Sequence, residues 1–248
     1  MFCIWFSLRA RWRTDKKLQV NRVIQSGDFV KIHYTGKLSD GAVFDTTDPA
    51  VAKAEGLEGT KELLPVTICV GQSMLVPGLD AALIGKPVGR FSVTLSPDSA
   101  FGRKDPKLIR IIPVTQLHAQ QINPYPGLRL NVDGRYGVVR SVSSGRAVVD
   151  FNHPLASQEI TYDVDVLAIV EERTEQVKAL LSAVGLPFTA VHAEDERAVV
   201  TMERMLPQPL LDALQGRIAT LTGIKTVSFE AGTPPAQASE SKDKAHDG

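Results

Sequence analysis

Cysteine is almost absent from this 248-residue chain: Cys3 and Cys69 are the only two. They are too few for a disulfide framework or an all-cysteine zinc site, and they point to a reducing, cytoplasmic compartment. Net charge is missing as well. Lysine plus arginine number 28, and aspartate plus glutamate 28. A neutral chain has no long-range pull toward nucleic acid or acidic membranes, so neither is expected as a partner. No run of about 18 apolar residues exists, which excludes a helical membrane span. A secretory signal is not legible either: the start, Met-Phe-Cys-Ile-Trp-Phe-Ser-Leu, is apolar and precedes its basic cluster, the reverse of the secretory order. What is present is ordinary for a globular protein, with 43% apolar and 23% charged residues. That supports a buried core, and the length suggests two or more domains.

The charge is uneven. Residues 1–22 hold six cations against Asp15 alone, a net +5, which leaves −5 for residues 23–248. Residues 1–23 read as a disordered extension. The alternatives are a start assigned too far upstream and a weak membrane-surface anchor. At the other end, residues 231–248 are small, polar and proline-bearing, and read as a disordered tail.

Between them, Val30, Ile32 and Tyr34 alternate with Lys31, His33 and Thr35, the period of a half-buried strand. Ser39-Asp40-Gly41 gives a turn, and Val43-Phe44-Asp45 begins the return strand. Residues 46–64 read as a long loop. Val66, Ile68 and Val70 mark another strand. Pro77 to Gly85 reads as a short helix, with proline in its first turn, Leu79, Ala82 and Leu83 on one face and a glycine stop. Phe91, Val93 and Leu95 line one face of a further strand. Tyr162, Val164, Val166, Ala168 and Val170 line one face of the last long one. An α+β fold follows, an antiparallel sheet wrapped on one short helix.

These residues carry a resemblance. Lys31-Ile-His-Tyr34-Thr-Gly36, Asp40-Gly41, Phe44-Asp45, Val70-Gly71-Gln72, Leu75-Val76-Pro77-Gly78-Leu79 and Leu95-Ser96-Pro97 through Ala100-Phe101-Gly102 occur in one order. That series resembles FKBP-type peptidyl-prolyl isomerases. Roughly 48 residues then intervene before Asp150-Phe151-Asn152-His153-Pro154-Leu155-Ala156, which looks like the SlyD-like subgroup with an insert-in-flap chaperone domain. The residues beyond the last strand resemble the long archaeal-type members. The resemblance implies an FKBP domain over 24–102 plus 151–171, an insert over 103–150, and an extra C-terminal domain over 172–230.

Rotation about an X-Pro bond faces a barrier of about 18–20 kcal/mol and takes about 10–100 s unaided. A dry apolar cleft disfavours the charge-separated planar amide, so no nucleophile, metal, cofactor or proton transfer is needed. By the resemblance, Tyr34, Phe44, Val66, Leu75, Val76, Leu79, Phe101 and Tyr162 line the proline cleft. Asp45 supplies a polar contact at its rim, and the Val76 N–H holds a substrate carbonyl. Leu155 and His153 belong to the wall, and Ile109, Ile111 and Ile112 to the substrate-binding part of the insert. Two residues depart from the family: Leu79 stands where tryptophan is common, and Phe101 where tyrosine is. The second costs a hydroxyl donor worth about 0.5–1.5 kcal/mol.

The insert shows short β segments split by Asp133-Gly134 and Ser144-Gly145. They imply a small β module with exposed apolar surface that marks a binding site; the resemblance implies capture of unfolded chains there, and a purely structural insertion is the alternative. In the C-terminal part, Thr174 to Gly185 reads as an amphipathic helix with a threonine start. Strands near 188–193 and 197–203, a helix over 209–221 and a strand over 226–229 complete an αββαβ order. A homodimer through this part or substrate cradling is the expectation for it, a purely stabilising appendix the alternative. His33, His118, His153 and His192 show no ligand spacing, so no metal is assigned. The partners expected are unfolded or proline-containing polypeptides. The function expected is prolyl isomerisation with chaperone capture, and the alternative is a non-catalytic holdase.

Overall fold

The computed structural model describes residues 22–57, 63–132 and 134–232. The extension through residue 21 and the tail from 233 onward lie outside the described residues. Strand β1 (Phe29–Leu38) is the axis of a five-stranded sheet. Along one edge its first half pairs with β3 (Val66–Cys69) and its second half with β2 (Val43–Thr46). Along the other edge lies β9 (Ile160–Ile169), followed by β4 (Gly89–Leu95). All pairings are antiparallel. Helix α2 (Pro77–Leu83) covers one face, burying Leu79 and Leu83 against Val30, Ile32, Ile68, Tyr162 and Val164.

Three local expectations need correction. The stretch 46–64 is not all loop, because Asp48 accepts a hydrogen bond from the Ala50 N–H (2.8 Å) and Pro49 opens a one-and-a-half-turn helix, α1 (Pro49–Ala54). In β9 the inward face runs Tyr162, Val164, Val166 and then shifts to Ile169, with Leu167 exposed. A bulge opposite Lys31/Ile32 inserts one residue, so Ala168 leaves the face it was expected to share. Arg22 and Val23 are ordered: Val23 bridges to Pro87, and Arg22 pairs with Asp28 at 2.6 Å.

Between β4 and β9 the chain leaves the sheet and builds a second one. Its strand order is β5 (Ile109–Pro113), β8 (Arg146–Asp150), β7 (Arg135–Ser143) and β6 (Arg129–Val132), with α3 (Val114–Ala119) on one face. Leu117, Val139, Ala147 and Val149 form its core. The neck is stitched by hydrogen bonds. The Ser157 N–H donates to the Gly102 carbonyl (2.8 Å), and the Lys104 N–H to Ser157 Oγ (2.8 Å). Asn152 imitates a strand: Asp105 N–H donates to its Oδ1 (2.8 Å) while its Nδ2 donates to the Asp105 carbonyl (3.1 Å).

The C-terminal residues form α4 (Arg173–Ala183), β10 (Ala190–Glu194), β11 (Arg197–Met202), α5 (Gln208–Thr222) and β12 (Thr226–Ala231), in the expected αββαβ order. Strands β11 and β12 run parallel, joined by the crossover helix α5. The start of α4 differs from expectation. Glu172 caps it, accepting from the Thr174 and Glu175 N–H groups, while Thr174 Oγ1 accepts from the Ala193 N–H of β10. Strand β12 also reaches Ala231, into the stretch expected to be tail. Helix α4 packs on the sheet face opposite α2, where Phe29 and Cys69 join its core. Glu175 accepts from both Lys31 Nζ (3.0 Å) and Thr67 Oγ1 (2.8 Å). Among the described residues no helix is long and apolar enough to cross a membrane.

Asp150 anchors the neck. Its carboxylate is 4% exposed and accepts from Arg140 (2.8 Å), from the Asn152 N–H and from Asn152 Nδ2 (both 2.9 Å), with Lys104 Nζ at 3.5 Å. Burial raises its pKa, but the Asn152 bonds and the two cations outweigh that and hold it at about 2. A depressed folded pKa stabilises above the unfolded value, and the gain is lost as pH falls from about 4 toward about 2. Asp150→Asn is therefore expected to cost about 2 kcal/mol at pH 7 by urea unfolding, with the gap to wild type closing near pH 2. Equal stabilities at pH 7 would remove Asp150 from this role.

Candidate functional site: an apolar cleft between sheet and helix

The cleft is assembled where β1, β2 and β9 meet the start of α2. The approach to that helix is fixed by Asp80, a buried carboxylate that accepts from the Gly71 N–H (2.8 Å) and the Ser73 N–H (3.1 Å). This loop carries Leu75 and Val76 to the cleft edge. Gly78 is needed beside them: a Cβ there would sit 2.8 Å from the Ser99 carbonyl oxygen and from Leu95. The Val76 carbonyl accepts from the Leu79 and Asp80 N–H groups. Among the described residues, its own N–H has no hydrogen-bond acceptor.

Leu79, 1% exposed, is the floor, and Tyr162 is buried beside it. The walls are aromatic. Phe44 meets Phe101 edge-on at 6.1 Å and Tyr162 at 6.0 Å, and Tyr34 meets Tyr162 edge-on at 6.0 Å. Tyr34, Phe44, Val66, Leu75, Val76, Phe101 and Leu155 are partly buried in the same cluster as Leu79 and Tyr162. Asp45 stands at the exposed rim, where it accepts from the Tyr34 hydroxyl at 3.0 Å. Burial, reinforced by Asp45, raises both phenols, with Tyr162 at about 12. Both rings stay neutral at physiological pH, and Asp45 is the carboxylate at the cleft's rim among the described residues.

His153 lies flat on Phe101, with ring centres 4.5 Å apart and planes 4° from parallel, and its Nδ1 accepts from the Leu155 N–H (3.2 Å). It joins the loop before the insert to the loop after it. The three insert isoleucines do not share a face: Ile109 and Ile111 are exposed, whereas Ile112 points into the insert's core. A second concavity of about 360 Å³, which shares Tyr34 and Val164 with the cleft's cluster, lies along the same sheet between His33, Lys37, Arg90, Asp163 and Asp165. The Lys37–Asp163 and Arg90–Asp165 pairs, both at 2.7 Å, make it charged, unlike the aromatic cleft.

Sequence reading placed Gly36 and Asn152 in motifs without giving either a role. A Cβ on Gly36 would fall 2.5 Å from Phe44 Cζ, so this glycine makes room for the aromatic wall. Its place in Tyr34-Thr-Gly36, inside a strand with no turn, was the available signal.

Residues 20–118 match the model of the FKBP-type peptidyl-prolyl cis-trans isomerases. Residues 110–155 match that of the FKBP26 IF domain. A short-type peptidyl-prolyl cis-trans isomerase of Methanocaldococcus jannaschii is 30% identical over 62% of this chain and 98% of its own length. A probable FKBP-type 16 kDa peptidyl-prolyl cis-trans isomerase of Pseudomonas fluorescens is 32% identical over 63% and 97%. The SlyD isomerase of Treponema pallidum is 29% identical over 61% and 81%. The chain belongs to the FKBP-type peptidyl-prolyl cis-trans isomerases. It is an isomerase with the α+β fold of that family, extended by the inserted and C-terminal sheets.

The contact under Phe44 gives a direct check on the cleft. Gly36→Ala must displace the ring, an overpacking cost of about 1–3 kcal/mol. Turnover of a prolyl peptide is expected to fall about tenfold while the circular dichroism spectrum stays native. Unchanged turnover would place the Phe44 wall outside the reaction.

Proposed function

We propose that this isomerase accelerates proline-limited protein folding and that its insert captures unfolded chains for the cleft. The observation that carries the reading is the pairing of the aromatic cluster of Tyr34, Phe44, Phe101 and Tyr162 with an adjoining sheet that exposes Ile109 and Ile111. In this reading Tyr34, Phe44, Val66, Leu75, Val76, Leu79, Phe101 and Tyr162 enclose the prolyl ring. The charge-separated planar amide loses its water there, and the twisted state, which has less charge separation, loses less. Each 1.36 kcal/mol of barrier removed is about a tenfold gain in rate. The free Val76 N–H holds the carbonyl of the bound chain, and Asp45, tethered by Tyr34, meets polar backbone at the rim. Leu155 closes one wall.

His153 lies between the two sites, stacked on Phe101. For the C-terminal unit we propose the stabilising role rather than dimerisation, because α4 already covers the back of β3, the strand that carries Val66. The runner-up for the whole chain is a holdase, and the phenylalanine at position 101 is the feature that favours it.

Deleting residues 104–148 and bridging with a short glycine turn separates the activities. Turnover of a short prolyl peptide is expected to persist, since the cleft residues lie outside the deletion. Acceleration of proline-limited refolding is expected to fall at least about tenfold, because the insert supplies effective concentration near the cleft. No loss in refolding would dismiss capture by the insert, and an intact protein without peptide turnover would leave the holdase reading. Phe101→Tyr restores a hydroxyl donor at the wall. It is expected to hold or raise turnover by up to about tenfold, the value of one hydrogen bond. Abolished turnover in a folded variant would mean that position 101 does not face the substrate carbonyl.

A further inference from the structure

We infer that the outer face of the inserted sheet selects unfolded segments that are both apolar and acidic, an inference that rests on the capture reading above. Strand register defines that face. Ile112, Ala147, Val149, Val139, Leu130 and Val132 point into the insert's core. Period-two alternation therefore puts Ile109, Ile111, Val148, Val138 and Arg129 on the other side, with Ile111 opposite Val148 and Arg129 opposite Val138. Ile111 is 65% exposed and Ile109 42%. Arg146 occupies the same face at the far end of β8, opposite Pro113 and Ser143. An aliphatic surface is thus bordered by arginine at both ends.

The charge around it is one-sided. Residues 103–150 contain eight lysines and arginines, three aspartates and no glutamate, a net +5. Among the described residues, the insert's anions are already engaged. Asp150 holds Arg140 and Lys104, Asp98 from outside the insert holds Arg103, and Asp105 caps the Lys107 N–H. Among the described residues, neither Arg129 nor Arg146 has a carboxylate within 4.0 Å. Apolar contact supplies the attraction common to any unfolded chain. The arginines add a selective element, attracting aspartate and glutamate near the bound segment and repelling lysine and arginine. Single-stranded nucleic acid shares the negative charge, but its bases need aromatic faces to stack on; this face offers one, Tyr136, 79% exposed opposite Asn131, beside a centre of isoleucine and valine.

The test uses the full-length protein and two fluorescent, unstructured, proline-free peptides with one shared apolar core. One is flanked by glutamates and the other by lysines. At low salt the glutamate peptide is expected to bind about five- to tenfold tighter by anisotropy, the sum that two or three exposed ion pairs support. The gap is expected to shrink as salt rises. The double variant Arg129→Gln, Arg146→Gln, checked by its melting curve, is expected to bind both peptides equally. Equal binding by wild type would overturn acidic selection and leave capture standing. Binding of neither peptide would overturn the capture reading and this inference with it. An oligonucleotide that displaces the glutamate peptide at lower concentration than the unlabelled peptide does would assign the face to nucleic acid instead.

Discussion

The neck of the insert is the constraint on which the rest depends. Strand β9 must return between β1 and β4, and nine of its residues pair with β1 across about 130 positions of chain. It finds that slot because the outgoing and returning segments are tied where they pass, at Gly102–Ser157, Lys104–Ser157 and Asp105–Asn152. A long loop closes at a cost that grows only slowly with its length, and the insert folds around its own core. The ties therefore need to fix direction more than distance. A slip of one residue at the neck would turn Tyr162 and Val164 away from α2 and remove the cleft's floor.

The same sheet serves two cores because it is covered on both faces near β3. Phe29 and Val30 are adjacent and both buried, one against α4 and the other against α2. Such a strand is stiffer than an exposed edge, and β3 is an edge strand that carries Val66. Glu175 adds a polar tie from behind, to Lys31 and Thr67. Among the described residues the cleft's walls are aromatic and aliphatic, so in the proposed reading its contribution to rate comes from shape and the exclusion of water. Rigid walls matter for that. A wall that relaxes by the width of a water molecule lets in the solvent that stabilises the planar amide.

Much of this was legible before the structure. The FKBP motifs gave the strands and α2 because period-two alternation and Pro77 are local signals that burial reinforced. The αββαβ order at the C-terminus followed from the same rules. Several features were not legible, each for a physical reason. Helix α1 was hidden because six residues are too few for periodicity, although the Asp48-Pro49 pair is itself a start signal. The bulge at Leu167 was hidden because a bulge depends on the partner strand. Thr174 looked like a helix cap until β10 supplied its partner. Ile109, Ile111 and Ile112 read as one apolar group, yet a strand must divide consecutive residues between its faces. The cleft residues came from the order of motifs, whereas Gly36, Asn152 and Asp150 act through contacts that sequence spacing does not reveal.

Neutrality of the whole chain also conceals its arrangement. The zero sum is made of a +5 insert and a +5 start against a remainder that is acidic. Screening limits each field to about 8–10 Å at physiological salt, so a bound segment feels the local charge and not the total. In the capture reading proposed above, the insert meets a client as a cation-bordered apolar surface. The cleft meets it as an aromatic pocket with one carboxylate at its rim. Between them stands the Phe101–His153 stack, with one ring from each side of the neck. Because His153 Nδ1 also fixes the Leu155 N–H, a displacement of the returning strand would move the Leu155 wall and the ring resting on Phe101 together. The insert is thus joined to the cleft wall through the Phe101–His153 stack and the Leu155 N–H, the route by which, in the proposed reading, a client held on one bears on the geometry of the other.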